Sequence, residues 1–358
     1  MSIYILGPGY GESQVIIFPS GHCIVVDCCV AGGENLTLEL LRSLSVPRVD
    51  LLIVSHPDLD HIRGIRGLVE AFRPVEAWRF PFGLLRELVS GWCRQNPDDG
   101  RWRELSDAYS VLDDLEDQNV ACEPTLHTRT IWHRPALDAE VQCIAPTMHD
   151  TVRIRRDLRR LVEYESPSRR REQPGDEPTL ATKIQDYLLG ERHGLHDHPN
   201  AVSLAVAVRW RRRRVLLAGD VEIGSASPHS GWSGILEVLR QDQMLNAVEH
   251  LDLVKVAHHG SLGAFHRPAW ELHSRPDKLT IAAITPFDRG KTGLPRPTVL
   301  GDIRSYAGQL GITADTRQTF SQAVAQGWTR EGLPDATLGG PVLRIVLAEH
   351  GPGILSVS

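Results

Sequence analysis

The sequence predicts an α/β protein in which sheets and helices form layers. Short apolar stretches with the length of buried strands alternate with segments of helical spacing, and the first seventy residues run strand, strand, helix, strand, helix. Several strands end in histidine or aspartate, and strand ends are where the site of a layered α/β fold forms. A chain of 358 residues can bury a large core. We expect one domain over residues 1–358 with a charged, largely helical insertion at 148–199.

Composition excludes several classes of protein. The formal net charge of -6 argues against a uniformly basic nucleic-acid binder. No apolar run approaches the ~18 residues of a membrane span, and residues 1–18 lack the basic start and long apolar middle of a secretory signal. The six cysteines show no metal-site or disulfide spacing, which favours reduced, buried thiols. We therefore expect a cytoplasmic protein without a membrane partner.

The amino-terminal elements lead to a cluster of ligand-type residues. The glycine-rich turn at 7–13 is followed by a strand, which argues against a phosphate-binding loop because such a loop precedes a helix. The predicted elements are strands at 14–18, 23–26 and 49–54 and helices at 36–44 and 62–72.

The cluster lies in the turn after the strand at 49–54. His56, Asp58, Asp60 and His61 fall within six consecutive positions there. Imidazoles and carboxylates held between two rigid elements can converge on one or two cations, so the spacing indicates a metal site. The alternative is a solvated turn with capping residues, but a helix cap requires fewer polar side chains than these four.

The middle of the chain predicts a basic insertion. Around it, the predicted elements are helices through 81–120, a strand at 141–145, a charged helix from 148, a bend at 166–178 and a second helix near 179–189. Eight arginines fall between 153 and 171. They indicate either a basic arm that touches a phosphate backbone or a solvated face balanced by neighbouring acidic residues.

The remaining chain predicts further buried strands. They lie at 201–208, 215–219, 251–256, 279–284 and 341–347, with helical spacing around 235–239 and 299–310. Five arginines in the turn at 209–214 resemble a nucleic-acid patch. Because Asp220 lies at the far end of its strand, about 20 Å from that turn at ~3.3 Å per residue, a solubilising hairpin tip is the favoured interpretation.

Four strand ends carry ligand-type residues. These are Asp27, the cluster at 56–61, Asp220 and the pair His258-His259. In layered α/β folds such ends converge, so we expect the separate segments to form one site.

The motifs around these residues resemble the metallo-β-lactamase superfamily. His56-x-Asp58-x-Asp60-His61 is similar to its signature, with the second histidine replaced by aspartate. That replacement resembles the ComEC-type branch, the metallo-hydrolase domain of DNA-uptake competence proteins. The other motifs similar to this branch are Gly9-Tyr10-Gly11-Glu12-Ser13, Val26-Asp27-Cys28, Asn200-x-x-Ser203, Gly219-Asp220-x-Glu222 and Lys255-x-x-His258-His259-Gly260-Ser261.

The resemblance implies a four-layer αβ/βα sandwich, two sheets face to face with helices outside, that holds one or two metal ions at its edge. The implied ligands are His56 and Asp58 for one ion, Asp60, His61 and one of His258 and His259 for another, and Asp220 as the bridge. The expected cofactors are two divalent ions, Zn²⁺ or Mn²⁺, because carboxylates favour harder ions.

The resemblance also implies roles around the ions. Asp60 would orient a hydroxide generated from water whose pKa falls to around 7, as well as bind metal, and His259 is also expected to be catalytic. Asp27 is expected to fix a histidine tautomer, and Asn200 and Ser261 to lie beside ligands or substrate. A serine nucleophile at Ser261 is the alternative that the nearby metal ligands argue against.

The sequence departs from the branch at several positions. Cys29 and Arg63 stand where the branch usually has glycine, and Arg63 either reaches a substrate phosphate or is a surface arginine. The superfamily's third-motif histidine has no clear counterpart, although His193, His196 and His198 lie in the right region. Since the chain has no membrane span, we do not expect a DNA-uptake channel.

Three functions follow from these expectations. The first is a phosphodiesterase, and specifically a nuclease acting on DNA or RNA. The second is a hydrolase of a small ester, lactone or cyclic nucleotide, because this fold hosts many chemistries. The third is a metal-bearing interaction module whose insertion at 148–199 docks a protein partner.

Overall fold

Two large sheets form the centre of the fold. The computed structural model describes residues 1–7, 9–80, 100–122, 129–164, 199–224, 228–287, 293–313, 336–339 and 341–357. The strands are β1 Ser2–Leu6, β2 Ser13–Ile17, β3 Cys23–Val26, β4 Val30–Ala31, β5 Glu34–Asn35, β6 Leu51–Val54, β7 Glu76–Arg79, β8 Ala121–Cys122, β9 Arg129–Arg134, β10 Ala139–Ala145, β11 Ala205–Trp210, β12 Arg213–Leu217, β13 Leu253–Lys255, β14 Ile281–Ile284, β15 Gln309–Thr313, β16 Ala336–Gly339, β17 Val342–Val346 and β18 Ile354–Val357. Hydrogen bonding orders the first sheet as β18-β17-β1-β2-β3-β6-β7-β8 and the second as β16-β15-β14-β13-β12-β11-β10-β9.

Helices cover the sheets. They are α1 Leu36–Ser43, α2 Leu59–Ile62, α3 Ile65–Ala71, α4 Gly100–Asp117, α5 Met148–Tyr164, α6 Gly231–Gln241, α7 Arg267–His273 and α8 Pro297–Tyr306. Among the described helices, none combines the length and apolarity that crossing a bilayer requires.

The alternation of residues along each strand creates the layers. Val215 and Leu217 of β12 pack in the same buried cluster as Ile3 of β1, so the two sheets share a core between them. Leu216, which points the other way along β12, packs in a second cluster with Trp270 of α7. The result is the mixed α/β sandwich that the sequence predicts, with a sheet-on-sheet core and helices outside.

Most predicted elements lie within a few residues of their expected positions. The strand predicted at 201–208 is a correction, because β11 begins only at Ala205 and Pro199–Val202 forms a 3₁₀ turn. The helix predicted at 299–310 ends at Tyr306, since the chain then enters β15. We did not predict β1, although its apolar residues fill the core.

Several predicted features lie outside the described residues. They include the helical spacing at 81–99, the bend at 166–178, the second helix near 179–189, and His193, His196 and His198. The first helix of the insertion is described as α5.

Three of the five arginines at 209–214 pair with neighbouring carboxylates. Arg209 donates to Asp138 at 2.7 Å, and Arg213 donates to the buried Asp252 at 2.7 Å. Arg211 pairs with Glu349. These ion pairs tie the β11–β12 hairpin to adjacent strands and so favour a structural role over a nucleic-acid patch.

Candidate metal centre

Four strand ends meet at one edge of the sandwich. β3 and β6 pair in parallel, which brings Asp27 and His56 to the same edge of the first sheet. β12 and β13 also pair in parallel, so Asp220 and the segment at 258–259 lie at the same edge of the second sheet. The strand directions therefore explain how distant sequence segments converge.

His56 forms one side of the cluster. Its Nε2 atom lies 3.6 Å from Asp58 Oδ2 and 3.6 Å from Asp220 Oδ2. His56 is fully buried, whereas the Asp58 side chain is 19% exposed. This side of the cluster therefore opens toward solvent at Asp58.

His61 and His259 form the other side. His61 Nε2 lies 3.6 Å from Asp60 Oδ2 and 3.5 Å from Asp220 Oδ1. His259 Nε2 lies 3.1 Å from Asp60 Oδ2 and 3.9 Å from Asp220 Oδ2. Asp220 thus stands between the two sides, which is the position expected of a bridging carboxylate.

Several buried atoms of this cluster fit bound cations. His56 Nε2, His61 Nε2, Asp58 Oδ1 and Asp220 Oδ1 are buried and have no hydrogen-bond partner among the described residues. An unsatisfied buried polar atom is costly, so a group of them facing one space indicates a missing partner. Imidazole nitrogens and carboxylate oxygens are ligands for Zn²⁺ and, with this many carboxylates, for Mn²⁺.

The opposite nitrogen of each imidazole is held by a fixed acceptor. His61 Nδ1 lies 2.8 Å from Asp27 Oδ2, and His259 Nδ1 lies 3.0 Å from the Thr285 carbonyl oxygen. His56 Nδ1 lies 2.9 Å from Ser55 Oγ, which also donates to Asp27 Oδ2 at 2.7 Å. A proton held on Nδ1 of His61 and His259 leaves their Nε2 lone pairs directed into the cluster. Asp27 therefore lies on the Nδ1 side of His61, which is the placement that a tautomer-fixing role requires.

His258 differs from His259. The His258 side chain is 24% exposed, and its Nδ1 lies 2.6 Å from Glu222 Oε1. Its Nε2 is 4.0 Å from Asp220 Oδ2. His259 is buried and closer to Asp60 and Asp220, so the geometry favours His259 as the ligand of the pair.

Asn200 and Ser261 lie beside His258. The Asn200 amide nitrogen is 3.4 Å from both ring nitrogens, and Ser261 Oγ is 3.0 Å from His258 Nδ1. Both residues of the pair have left-handed backbone, with φ of 42° at His258 and 51° at His259. Non-glycine residues in this region are strained, and such strain clusters at functional sites.

The charges in the cluster stabilise one another. Burial raises the pKa of Asp60, but His61 and His259 outweigh it and hold that pKa below its ordinary value. Burial likewise raises the pKa of Asp220, and the same two histidines with His56 outweigh it and lower that pKa well below its ordinary value. Burial lowers the pKa of His61, but Asp220 and Asp60 raise it well above its ordinary value. A positive charge is therefore favoured between these carboxylates.

The pKa of His258 is also raised. Burial lowers it, but the hydrogen bond to Glu222 and the charge of Asp220 raise it to about 9. His258 therefore carries a proton near neutral pH, at the more open part of the cluster.

Arg63 lies beside the cluster rather than in it. Its Nε donates to Glu104 Oε2 at 2.6 Å, and its guanidinium lies 5.5 Å from the centre of the Tyr10 ring. The Arg63 guanidinium, which the sequence suggested as a contact for a substrate phosphate, therefore pairs with the Glu104 carboxylate instead.

Sequence reasoning assigned no role to several residues of the site. Glu12 lies 3.3 Å from His259 Nδ1 and pairs with Lys255. Ser203 Oγ accepts from the Asp220 N–H at 2.9 Å, and Glu222 holds His258. Glu12, Lys255, Ser203 and Glu222 all lie inside the motifs quoted above, so the sequence did mark their positions. A motif match alone, however, does not say which neighbour each side chain contacts.

Gly219 shapes the turn that presents Asp220. Its φ is +51°, and a Cβ there would overlap Ser203 Oγ and lie 2.7 Å from the Leu204 carbonyl oxygen. We expect Gly219→Ala to destabilise the protein by roughly 1–3 kcal/mol and to weaken metal binding, because the clash displaces the Asp220 backbone. Denaturant unfolding and metal titration measure the two effects.

Gly21→Ala is the matched control. Gly21 has φ of +84°, but its added Cβ would meet no atom within 4 Å. It should therefore lose stability through backbone strain alone and keep its metal affinity. Equal metal affinity in both variants would contradict the steric argument for Gly219.

Comparison with known families supports this description. Residues 7–79 match the model of the metallo-beta-lactamase superfamily. The match supports a relationship between this chain and the metallo-β-lactamase superfamily. The matched segment contains Glu12, Asp27 and the cluster from His56 to His61, and the two large sheets with outer helices agree with the metallo-β-lactamase sandwich. No curated protein sequence matches the chain.

Several solved structures are similar to the chain. Zn²⁺-bound PqqB from Methylobacterium extorquens has 11% identity and a TM-score of 0.40, covering 97% of this chain and 100% of PqqB. Human tRNase Z, short form, has 13% identity and a TM-score of 0.38, covering 87% and 92%. The diiron β-hydroxylase CmlA from Streptomyces venezuelae has 13% identity and a TM-score of 0.38, covering 97% and 54%. At this similarity none of their activities is carried over to the chain.

Proposed function

We propose that the chain is a metal-dependent hydrolase that cleaves phosphodiester bonds, acting as a nuclease on DNA or RNA. The observation that carries this proposal is the group of unpartnered ligand atoms of His56, His61, Asp58 and Asp220 within one buried cluster of described residues. A site with this many carboxylates suits hard divalent ions, and paired ions suit displacement at phosphorus.

The proposed ligand sets follow the two sides of the cluster. His56 and Asp58 would hold one ion, Asp60, His61 and His259 a second, and Asp220 would bridge them. Two ions in such a site supply an activated water and Lewis-acid stabilisation of the leaving oxygen. We propose Zn²⁺ or Mn²⁺ for both positions.

The protein residues then position the substrate and its protons. Asp60 accepts a hydrogen bond from the attacking water, since its Oδ2 faces the space shared by His61 and His259. His258, which is held by Glu222, faces the more open part of the site and donates a hydrogen bond to the bound phosphate. Burial of His56, His61 and His259 excludes bulk water around the reacting groups.

Two aromatic rings beside the cluster favour a nucleic-acid substrate. The Phe287 ring lies 5.2 Å from the His259 ring and 5.8 Å from the Tyr10 ring, and both aromatic residues are partly exposed. Bases stack on such rings with about 1–3 kcal/mol each. Phosphodiesters that carry a nucleobase should therefore bind more tightly than phosphodiesters that lack one.

A substrate panel tests the proposal. Purified protein with Mn²⁺ or Zn²⁺ is assayed on single- and double-stranded DNA, RNA, a dinucleotide, a methyl phosphodiester, cyclic nucleotides, and simple esters and lactones. We expect cleavage of nucleic acid, loss of that cleavage in Asp60→Ala, and a KM in Phe287→Leu that rises more for the dinucleotide than for the methyl phosphodiester.

The other outcomes separate the alternatives. Turnover of small esters, lactones or cyclic nucleotides only would contradict the nuclease proposal. Metal binding without turnover of any substrate would favour the interaction module. Cleavage that survives Asp60→Ala would overturn the metal mechanism itself.

A further inference from the structure

A buried ion pair lies directly behind the metal centre. Glu12 precedes β2 in the first sheet, and Lys255 ends β13 in the second sheet, yet their side chains meet and are both completely buried. The pair therefore joins the two sheets at the edge where the ligand residues converge.

Glu12 is held by several donors. Lys255 and the Thr285 hydroxyl both donate to its carboxylate, and the Gln14 side-chain amide donates to Oε1 at 3.1 Å. The Glu12 backbone N–H also donates to the Asp60 carbonyl oxygen at 2.9 Å. The carboxylate is thus fixed in one place relative to the ligand segment at 56–61.

The carboxylate approaches both ligand imidazoles from behind. Glu12 Oε2 lies 3.3 Å from His259 Nδ1, and Oε1 lies 3.9 Å from His61 Nδ1. The Nε2 atoms of these rings face Asp60 and Asp220 instead. Glu12 belongs to a group with His61, Asp220 and His259 whose ligand atoms all lie within 4.8 Å of one another. Its contacts with the Nδ1 atoms and with three donors nevertheless identify it as a partner of the ligands rather than a ligand.

Stability alone does not account for this pair. Desolvating two charges costs several kcal/mol each, and well-packed apolar residues often replace a buried ion pair without loss of stability. The Nδ1 atoms of the two rings are already held by Asp27 and the Thr285 carbonyl oxygen. The Glu12 carboxylate, by contrast with a purely structural group, adds negative charge on that same side of both rings, and partners behind ligand imidazoles set metal affinity.

We propose that Glu12 and Lys255 are positioning residues that support His61 and His259 from behind, together with Asp27 and the Thr285 carbonyl, and hold the ligands of the two sheets in register. This inference rests on the metal centre of the proposed function but not on any substrate. Glu12 supplies the negative charge behind the rings, and Lys255 compensates that charge within the core.

Co²⁺ titration of Glu12→Gln tests the inference, with affinity from calorimetry and ligand geometry from the visible absorption spectrum. We expect a 10- to 100-fold loss of affinity, the range typical of residues that orient metal ligands, together with an altered spectrum. The double variant Glu12→Gln/Lys255→Met removes both charges, so it should fold even if Lys255→Met alone does not, and it should show the same loss of affinity.

Asp252→Asn is the matched control. It breaks the buried Arg213–Asp252 pair at the opposite end of β13, so it should lower the unfolding temperature and leave Co²⁺ affinity unchanged. Wild-type affinity and spectrum in both Glu12 variants would overturn the positioning role while the metal centre stands. Absence of Co²⁺ binding by the wild-type protein would overturn the metal centre, and the positioning role with it.

Discussion

Asp220→Asn is expected to abolish hydrolysis and to leave at most one of the two ions bound. Asp220 Oδ atoms lie 3.5 to 3.9 Å from nitrogen atoms of His56, His61 and His259, so a single carboxylate serves both sides of the cluster. Each ion contributes several kcal/mol to transition-state stabilisation. At about 1.4 kcal/mol per tenfold change in rate, we expect a loss of at least roughly 10²- to 10³-fold.

Metal analysis and single-turnover kinetics measure this effect. Asp50→Asn provides the matched control, because Asp50 is also a buried carboxylate but accepts the Cys23 N–H at the opposite end of β6. It should lose stability and retain both ions. Full metal occupancy and normal turnover in Asp220→Asn would refute the bridging role.

Chelation is expected to remove activity completely, and rebinding of Zn²⁺ or Mn²⁺ is expected to release protons. Asp220 and Asp60 raise the pKa of His61 well above its ordinary value, so the ion-free protein holds a proton there at neutral pH. An incoming cation replaces that proton. Metal affinity should therefore fall as the pH is lowered from about 8 to about 6, where ligand protonation competes with binding.

Calorimetry in buffers of different ionisation enthalpy counts the released protons. His61→Gln is the informative comparison, because it removes the titrating ring and should bind metal more weakly with less proton release. A metal affinity that does not change over this pH range would contradict the assignment of His61 as a ligand.

The sequence predicted the layers of the fold and the strand ends that converge on the candidate site. Buried strands such as β3 and β6 are recognisable from their runs of apolar residues. Asp27 and His56 lie within two residues of the ends of these strands. Parallel pairing then brings these ends together, which is a property of the fold class rather than of any single residue.

Other features could not be predicted because they depend on contacts across the sandwich. The preference for His259 over His258 follows from burial and from distances to Asp60, and neighbouring residues in sequence give no sign of either. Likewise Glu12 and Lys255 are far apart in the chain, and only sheet-on-sheet packing brings their charges together. The start of β11 was misplaced because an apolar run also fits the 3₁₀ turn that holds Asn200.

The division of the ligands between the two sheets has a consequence for how the protein is made. His56 to His61 leave the ribosome long before Asp220 and His259, so a nascent chain can present only half of the centre. Full-affinity loading of the two proposed ions would require translation beyond residue 259 and docking of the second sheet on the first. With the proposed ligands, full metal occupancy would report complete assembly, and a chain interrupted between the two halves would lack the ligands that the second sheet supplies.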